Sequence, residues 1–402
     1  MKKRLITYTF ALLIPFAGYA GKIDKKCAHY MDSIMAHALS EQFFPGAQLL
    51  VGKNDKLLYA KSFGHQDYEH DVKVSSKDVY DMASCSKVIG TTLAAMRLYD
   101  EGLISLQSKV GDILPQFGGT PVESLSFLDL MTHVTGLRPF IPFYKECMND
   151  ARYISNKPVV GYKRVSDSMW VNPSYYKEID KQIAQSQQQD KIGKYQYSDL
   201  NLYLVQLMLE KASGKTLDVL TDELYKEMDM PLTGYLPLRR SKMKHIIPTE
   251  TDSVFRMQTI RGYTHDEFAA LLGNVAGHAG LFSNAKDVSH FCRMILNKGE
   301  FNGKRIISEE TISLFTSSPY LNKQIYRGIG FDKRNPESGV YSLNSFGHTG
   351  FTGTYFWIDA DTGLYLILLT NRVHPTRKNM KMYDDNLRDK LWSRIHGREY
   401  KE

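Results

Sequence analysis

Cysteine is scarce in this 402-residue chain, which has only Cys27, Cys85, Cys147 and Cys292. Four thiols allow three pairings, the order of these four selects none, and the gaps are too wide for a zinc knuckle. We expect most of them to be free and structural; Cys85 stands beside a serine that matters below. A strong charge of one sign is also lacking. The net charge is +7, and Lys2, Lys3 and Arg4 supply three of those charges within the first four residues. No lysine–arginine stripe follows, which argues against a nucleic-acid partner. Beyond the N-terminus no apolar run is long enough to cross a membrane. There is no internal repeat and no long linker. With 29 glycines and 14 prolines, 43% apolar and 24% charged residues, the composition is that of a globular protein and excludes collagen-like and disordered classes.

What is present begins at the N-terminus. The first cations precede the apolar run Leu5 to Ala17, and Gly18 and Ala20 are small residues at positions −3 and −1 of a cut. This pattern is that of a cleavable signal peptide, residues 1–20, so a periplasmic or secreted product is expected. Apolar residues then recur at helical spacing over 24–43, ending before Pro45-Gly46. Two short apolar runs flank Lys53-Asn54-Asp55, a hairpin signal. Residues 84–101 read as one buried helix, apolar on several faces and stopped by Gly102. Residues 141–195 read as an insertion with one helix near 175–186; helical periodicity returns over 198–228, 284–298 and 308–316. The C-terminal third is strand-like, with Leu364 to Leu369 apolar at every position, as in a central strand covered on both faces. A last helix is expected over 380–396.

The fold class that follows is α/β of the α+β type: a mostly antiparallel sheet flanked by helices and built from both chain ends. Residues 21–104 and 265–402 form the sheet-containing part, and residues 105–264 an inserted, mainly helical domain.

Serine three residues before lysine places both side chains on one helix face. The lysine then takes the serine proton if its pKa is lowered. The chain has four such pairs: Ser84/Lys87, Ser174/Lys177, Ser241/Lys244 and Ser283/Lys286. Only Ser84 opens a buried helix, where unpaired N–H groups favour an oxyanion; the alternative is that it is simply an N-cap. Two further segments carry chemistry: Tyr197-Ser198-Asp199 before an apolar helical run, and His348-Thr349-Gly350 before the terminal strands.

In this order Ser-x-x-Lys, Tyr-Ser-Asp and His-Thr-Gly resemble the serine β-lactamase and penicillin-binding-protein superfamily, nearest its class C-like branch of β-lactamases, DD-peptidases and esterases. The likeness spans about residues 30–395 and includes Phe44-Pro45-Gly46-Ala47, Thr132-His133-Val134-Thr135-Gly136-Leu137 and Ala276-Gly277-His278-Ala279-Gly280. It implies a β-lactamase/transpeptidase-like fold with Ser84 as nucleophile and Lys87 and Tyr197 as a coupled proton-handling pair. It further implies an oxyanion hole made by the backbone N–H groups of Ser84 and Phe351. Asp199, His348, Thr349 and Gly350 would contact substrate. No metal or organic cofactor is implied.

Two departures bear on the substrate. Asp199 stands where the family most often has asparagine; ionised, it only accepts, although it can pair with Lys87. His348 stands where most β-lactamases have lysine, and it attracts a substrate carboxylate only when protonated. Both favour a DD-peptidase- or esterase-like hydrolase on cell-wall-type peptides, such as peptidoglycan fragments, or esters. A class C-like β-lactamase is the alternative, and a non-catalytic binding protein on the same scaffold is another. Among weaker signals, His265, Asp266 and Glu267 border the cleft by the same likeness, a solvated loop or helix start being the alternative, and His278 in its glycine-rich segment is a further candidate for the cleft wall. The His65 to His70 run lacks a second cluster to complete a metal site. Arg372 and His374 are expected at the surface.

Overall fold

The computed structural model of the protein describes residues 23–398 and Tyr400. The expected signal peptide lies outside them. The elements that matter for the site are, in chain order, α1 (Lys25–Ser40), β1 (Gly46–Lys53), β2 (Lys56–Gly64) and α2 (Leu93–Asp100). They continue with α3 (Asp199–Ser213), α4 (Leu217–Glu227) and α5 (Ala285–Leu296), and end with β3 (Ser345–Thr349), β4 (Tyr355–Asp359), β5 (Leu364–Thr370) and α6 (Leu387–Ile395).

The Asp24 side chain caps α1 by accepting from the Cys27 N–H at 2.9 Å. One face of this helix, Cys27, Met31, Met35 and Ala38, is buried. The β1–β2 hairpin turns at Asn54, whose φ of 49° is left-handed, a conformation asparagine tolerates. β1 pairs antiparallel with β2 on one side and with β5 on the other, so residues from the two chain ends meet mid-sheet, from Ala47 opposite Thr370 to Lys53 opposite Leu364. The five-stranded sheet has the order β3-β4-β5-β1-β2 and is antiparallel throughout.

Both faces of this sheet are covered. Tyr365, Ile367 and Leu369 pack with Val288, Phe291 and Ile295 of α5. Leu366, Leu368 and Trp357 pack on the other side with Met31 and Met35 of α1 and Leu391 and Trp392 of α6. Side chains alternate along a strand, so β5 is apolar at every position because each face has its own core. Each of these side chains contributes roughly 1.5–3 kcal/mol through burial. The inner core continues from Leu50, Phe356 and Ile367 of the sheet to Leu93 of α2, Leu204 of α3 and Leu220 of α4. The helical middle of the chain thus shares one continuous core with the sheet layer. No helix among the described residues is long and apolar enough to cross a membrane.

Three expectations are refined. The expected single helix over 84–101 has three parts: a 3₁₀ turn Ala83–Cys85, a π-helical stretch Lys87–Thr92, and α2. The Thr92 hydroxyl donates to the Lys87 carbonyl at 2.7 Å, a side-chain bond that satisfies this oxygen in the widened turn. The expected terminal helix is broken at Asn386, φ 54°, into Lys381–Asp384 and α6. The insertion has the expected helix at Tyr176–Ala184, but also a second helix at Phe143–Met148 and a small sheet of Ile154–Ser155, Lys163–Ser166 and Met169–Val171 that periodicity did not reveal. Strands of two to four residues are too short to carry a readable alternation.

Candidate active site

Ser84 follows the two-residue strand Tyr80–Asp81, which pairs with Leu281–Ser283. Between strand and serine, Ala83 has φ 45°, a left-handed conformation that costs a residue with a Cβ about 1–3 kcal/mol. Asp81 offsets this. Its buried carboxylate accepts the Ala83 N–H at 2.8 Å and the His265 N–H at 2.6 Å. The turn that presents Ser84 is therefore fixed by one carboxylate, and burial raises the pKa of that carboxyl.

Lys87 lies 1% exposed beneath the serine. Its Nζ donates to Ser84 Oγ at 2.9 Å and to the His278 carbonyl at 2.9 Å, and it stands 2.7 Å from Asp199 Oδ1. Burial works to strip the ammonium of its proton, but Asp199 and then Tyr197 more than offset this, and the Lys87 pKa is raised. The Tyr197 ring centroid is 5.0 Å from Lys87 Nζ. Burial pushes the Tyr197 phenol up, Lys87 pulls it down and Asp199 pushes it up again; the net direction is up. The sequence-based condition that the lysine pKa be lowered is not met: both members of the coupled pair are pushed up. Both shifts favour the protonated forms of the pair.

Tyr197 and Asp199 reach this position because the start of α3 is tied to the loop 132–139. Ser198 Oγ donates to the Arg138 carbonyl at 2.6 Å, and the Asp199 N–H donates to the Pro139 carbonyl at 2.9 Å. The Ser198 N–H and the Asn201 amide both donate to His133 Nδ1, at 3.2 and 3.0 Å, so this nitrogen is bare. The His133 ring lies 4.7 Å from that of Tyr197 and fixes its plane. Burial, then the charges of Arg327 and Lys87, hold the His133 pKa well below its usual value, so a neutral ring backs the tyrosine.

His348, on β3, is 2% exposed. Its Nδ1–H donates to the Thr349 carbonyl at 2.7 Å, and its Nε2 accepts from Arg327 Nη2 at 3.2 Å. Burial, then Arg327 and Lys87, push its pKa well below the ordinary histidine value. The protonation that His348 would need to attract a carboxylate is thus disfavoured. The fixed cation of this wall is Arg327, buried and paired with Asp332 at 2.9 Å, with the Tyr195 ring 5.8 Å from its guanidinium. Sequence reading missed Arg327. It lies in a loop without helical or strand period, and its only signal was an arginine between apolar residues and glycines, Ile325-Tyr326-Arg327-Gly328-Ile329-Gly330.

The segment 348–354 is stitched to the serine turn. Thr352 Oγ1 donates to the Asp81 carbonyl and Thr354 Oγ1 to the Met82 carbonyl, each at 2.8 Å, and Cys85 Sγ donates to the His348 carbonyl at 3.5 Å. Gly350 sits at the closest approach, where an added Cβ would collide with Thr354 Oγ1 and the Met82 carbonyl. Phe351 follows, 48% exposed at the cleft. One face of its ring is covered by the Arg372 guanidinium at 4.8 Å and its flank by the His265 ring at 5.6 Å.

The weaker sequence signals divide. His265 is buried, bonded through Nε2 to Glu250 at 2.8 Å, and Glu250 also receives Arg377. His278 donates from Nε2 to Asp266 at 2.9 Å and stacks on Phe268 at 4.8 Å, while its carbonyl holds Lys87. These groups shape the cleft from behind. Arg372 and His374, expected at the surface, are buried, because the chain after β5 folds back under Phe351. Asp67, Glu69 and His70 bring ligand-type atoms within 4.8 Å of one another, but Glu69 and His70 are exposed and Asp67 accepts both of their backbone N–H groups. All four cysteines are free and buried.

A serine bonded to a buried lysine, a tyrosine over both, and a glycine strand end against the serine turn define a serine hydrolase on a mixed α/β scaffold. The comparisons place it. The family model described as Beta-lactamase matches residues 27–388, and the chain belongs to that family. It is 30% identical over 363 residues to N-acetylmuramyl-L-alanine amidase of Bacillus subtilis (strain 168), covering 82% of this chain and 78% of that protein. It is 28% identical over 375 residues to an Escherichia coli (strain K12) protein named "Putative D-alanyl-D-alanine carboxypeptidase", covering 85% and 82%. Solved structures share the fold. The octameric penicillin-binding protein homologue from Pyrococcus abyssi has TM-score 0.66, 18% identity and coverage of 92% of this chain and 78% of that one. EstCE1, a hydrolase with promiscuous acyltransferase activity, has TM-score 0.66, 16% identity and coverage of 92% and 99%.

Proposed function

We propose that this protein is an exported acyl hydrolase that cleaves cell-wall-type peptide amides, or related esters, through a Ser84 acyl-enzyme. The observation that carries this is the 2.9 Å contact of Lys87 Nζ with Ser84 Oγ, with the Tyr197 ring beside the same ammonium. In the competent form the Lys87–Tyr197 pair has lost one proton, which belongs to the pair rather than to either residue. Ser84 Oγ attacks the substrate carbonyl carbon and its proton passes to the pair. The N–H groups of Ser84 and Phe351 receive the oxyanion. The tetrahedral species expels the amine or alcohol, which takes the proton from the pair. Water then attacks the ester carbonyl by the same route and frees Ser84.

On this reading Thr349 and Gly350 line the strand edge along which the substrate lies. Asp199 contacts the substrate as an acceptor while holding Lys87. Arg327, acting through the neutral His348, supplies the positive field for a substrate carboxylate. The cleft runs between the sheet-containing part, residues 21–104 and 265–402, and the helical part, residues 105–264. Ser84, His348 and Phe351 belong to the first part, and Tyr197 and Asp199 to the second. The substrate class rests on the relatives: one is named for the bond between muramic acid and L-alanine, the other for that between two D-alanines. Both names describe amides of the cell wall, which agrees with the signal-peptide pattern of residues 1–20 and a periplasmic or secreted location.

The test is intact-protein mass spectrometry of the wild type and a Ser84→Ala variant after exposure to a fluorophosphonate, and separately to a penicillin. We expect a fluorophosphonate adduct that the variant loses. A stable penicilloyl adduct would specify a slowly deacylating DD-peptidase-like enzyme. Penicillin turnover followed by absorbance would instead identify a lactamase. No adduct and no turnover would overturn the reading in favour of a binding protein.

A further inference from the structure

The Gly350–Phe351 peptide unit carries two groups that face opposite ways: the Gly350 carbonyl and the Phe351 N–H. On the reading above, the N–H is an oxyanion donor. The carbonyl of the same unit points away from the cleft, toward the C-terminal helix. There Arg388, the second residue of α6, extends its guanidinium into the turn. Its Nη2 lies 2.9 Å from the Thr354 carbonyl and 3.4 Å from the Gly350 carbonyl. The Thr354 carbonyl also accepts the Gly350 N–H at 2.7 Å, and the Gly350 carbonyl accepts the Gly353 N–H at 3.1 Å. One guanidinium therefore holds both ends of the 350–354 turn. The guanidinium is itself held between the rings of Tyr355 and Tyr383, with its carbon 5.6 and 5.0 Å from their centroids.

We infer that Arg388 is a positioning residue for acyl transfer, which aims and polarises the Phe351 N–H from behind by bonding the carbonyl of the same peptide unit. Two physical effects follow from one contact. A peptide unit is planar, so fixing its oxygen fixes the direction of its hydrogen. A hydrogen bond from a cation to a peptide oxygen also makes the N–H of that peptide a stronger donor, because bonds in a chain polarise one another. An arginine is suited to both tasks, being always charged and carrying two in-plane hydrogens on the one nitrogen, Nη2, that meets both carbonyls. Its charge is felt at the nucleophile's neighbour. It opposes the burial that pushes the Cys85 thiol up to about 12. The apolar side chains of α6, Leu387, Leu391 and Trp392, pack into the core shared with α1, so the helix, which reads in sequence as a mere closing element, acts through the backbone of one turn.

The inference rests on the proposed role of the Phe351 N–H, and the test separates the two. Arg388→Met is compared with wild type for kcat, KM and affinity for an aryl boronic acid, whose boron takes Ser84 Oγ and places one oxygen in the oxyanion position. Losing an oxyanion donor outright costs about 10²–10³ in rate, and a mis-aimed donor less. We expect kcat to fall about tenfold to a hundredfold, KM to change less than about threefold, and boronate affinity to fall in step with kcat. Added methylguanidinium should restore part of kcat in the variant but not alter the wild type. Arg388→Lys, which keeps the charge but loses the fork, should fall between. Unchanged kcat and boronate affinity in a folded Arg388→Met would overturn the inference. So would a loss that methylguanidinium and lysine both fail to relieve, since that marks a purely structural role. If Arg388→Met does not fold, the Arg388→Lys measurement decides alone: wild-type kcat with wild-type boronate affinity overturns it. A fluorophosphonate adduct that survives in Ser84→Ala sinks the acyl-enzyme reading itself, whatever Arg388 does.

Discussion

Asp199 Oδ1 lies 2.7 Å from Lys87 Nζ, and this pair determines which protons the site holds at rest. The carboxylate raises the pKa of the lysine and also pushes up that of Tyr197. Replacing Asp199 by asparagine removes one cause of both shifts, so the pair gives up its proton at lower pH. The rising limb of kcat/KM against pH should move toward acid in Asp199→Asn. A limb that stays in place would show that a different group titrates in catalysis.

Ser84→Ala should fold as the wild type does, since the residue is partly exposed and its side-chain bonds are to Lys87 and Tyr197 within the site. Turnover should fall by about 10⁴-fold or more, the scale seen when a covalent nucleophile is removed. Steady-state kinetics with an activated ester checks this, and near-wild-type turnover would require another nucleophile.

His348 is neutral in its clamped position, with its pKa well below the ordinary value. A carboxylate-bearing substrate should therefore show no loss of affinity as pH rises from 5 to 7.5 through the free histidine range of about 6.5. The field of Arg327 should carry the selectivity instead. Arg327→Gln should lower kcat/KM about tenfold or more for a substrate with a free terminal carboxylate, and less for its amide. Equal losses on both would deny Arg327 that role.

Asp252 and Arg256 form a fully buried ion pair at 2.8 Å, and Arg256 also donates to the Thr264 and His265 carbonyls behind the serine turn. Burial raises the Asp252 pKa, but Arg256 and the backbone N–H groups outweigh it and bring it to about 2. A depressed carboxyl stabilises the fold fully above its unfolded value near 3.9, and the contribution is lost as pH falls through the folded value. Acid unfolding should therefore set in between about pH 4 and 2 at this strap. Asp252→Ala leaves a buried cation unpaired and should cost about 3–5 kcal/mol, measured by urea unfolding.

Local pattern was sufficient for much of the fold. The spacing of Cys27, Met31, Met35 and Ala38 is that of one buried helix face, and Asn54 marks the hairpin. The unbroken apolar run of β5 announced a strand with a core on each face, because alternation disappears only when both sides are buried. Where the local pattern was overridden, tertiary bonds did it. Lys87–Thr92 lies inside the stretch read as one helix but widens to a π-helix, with the Thr92 hydroxyl on the Lys87 carbonyl and the Thr91 hydroxyl on the Gly277 carbonyl.

The same division holds at the site. The order of the three motifs, through its likeness to the β-lactamase superfamily, pointed to Ser84, Lys87, Tyr197, Asp199 and His348 as the groups to consider, whereas Ser-x-x-Lys spacing alone left four pairs. Their protonation was beyond the sequence. A pKa depends on burial and on charges within a few ångströms, and those charges come from other elements of the fold: Asp199 against Lys87, and Arg327 and then Lys87 against His348. Arg327 and Arg388 were silent for the same reason. Each acts only through what the folded chain places beside it, His348 for one and the Gly350 carbonyl for the other.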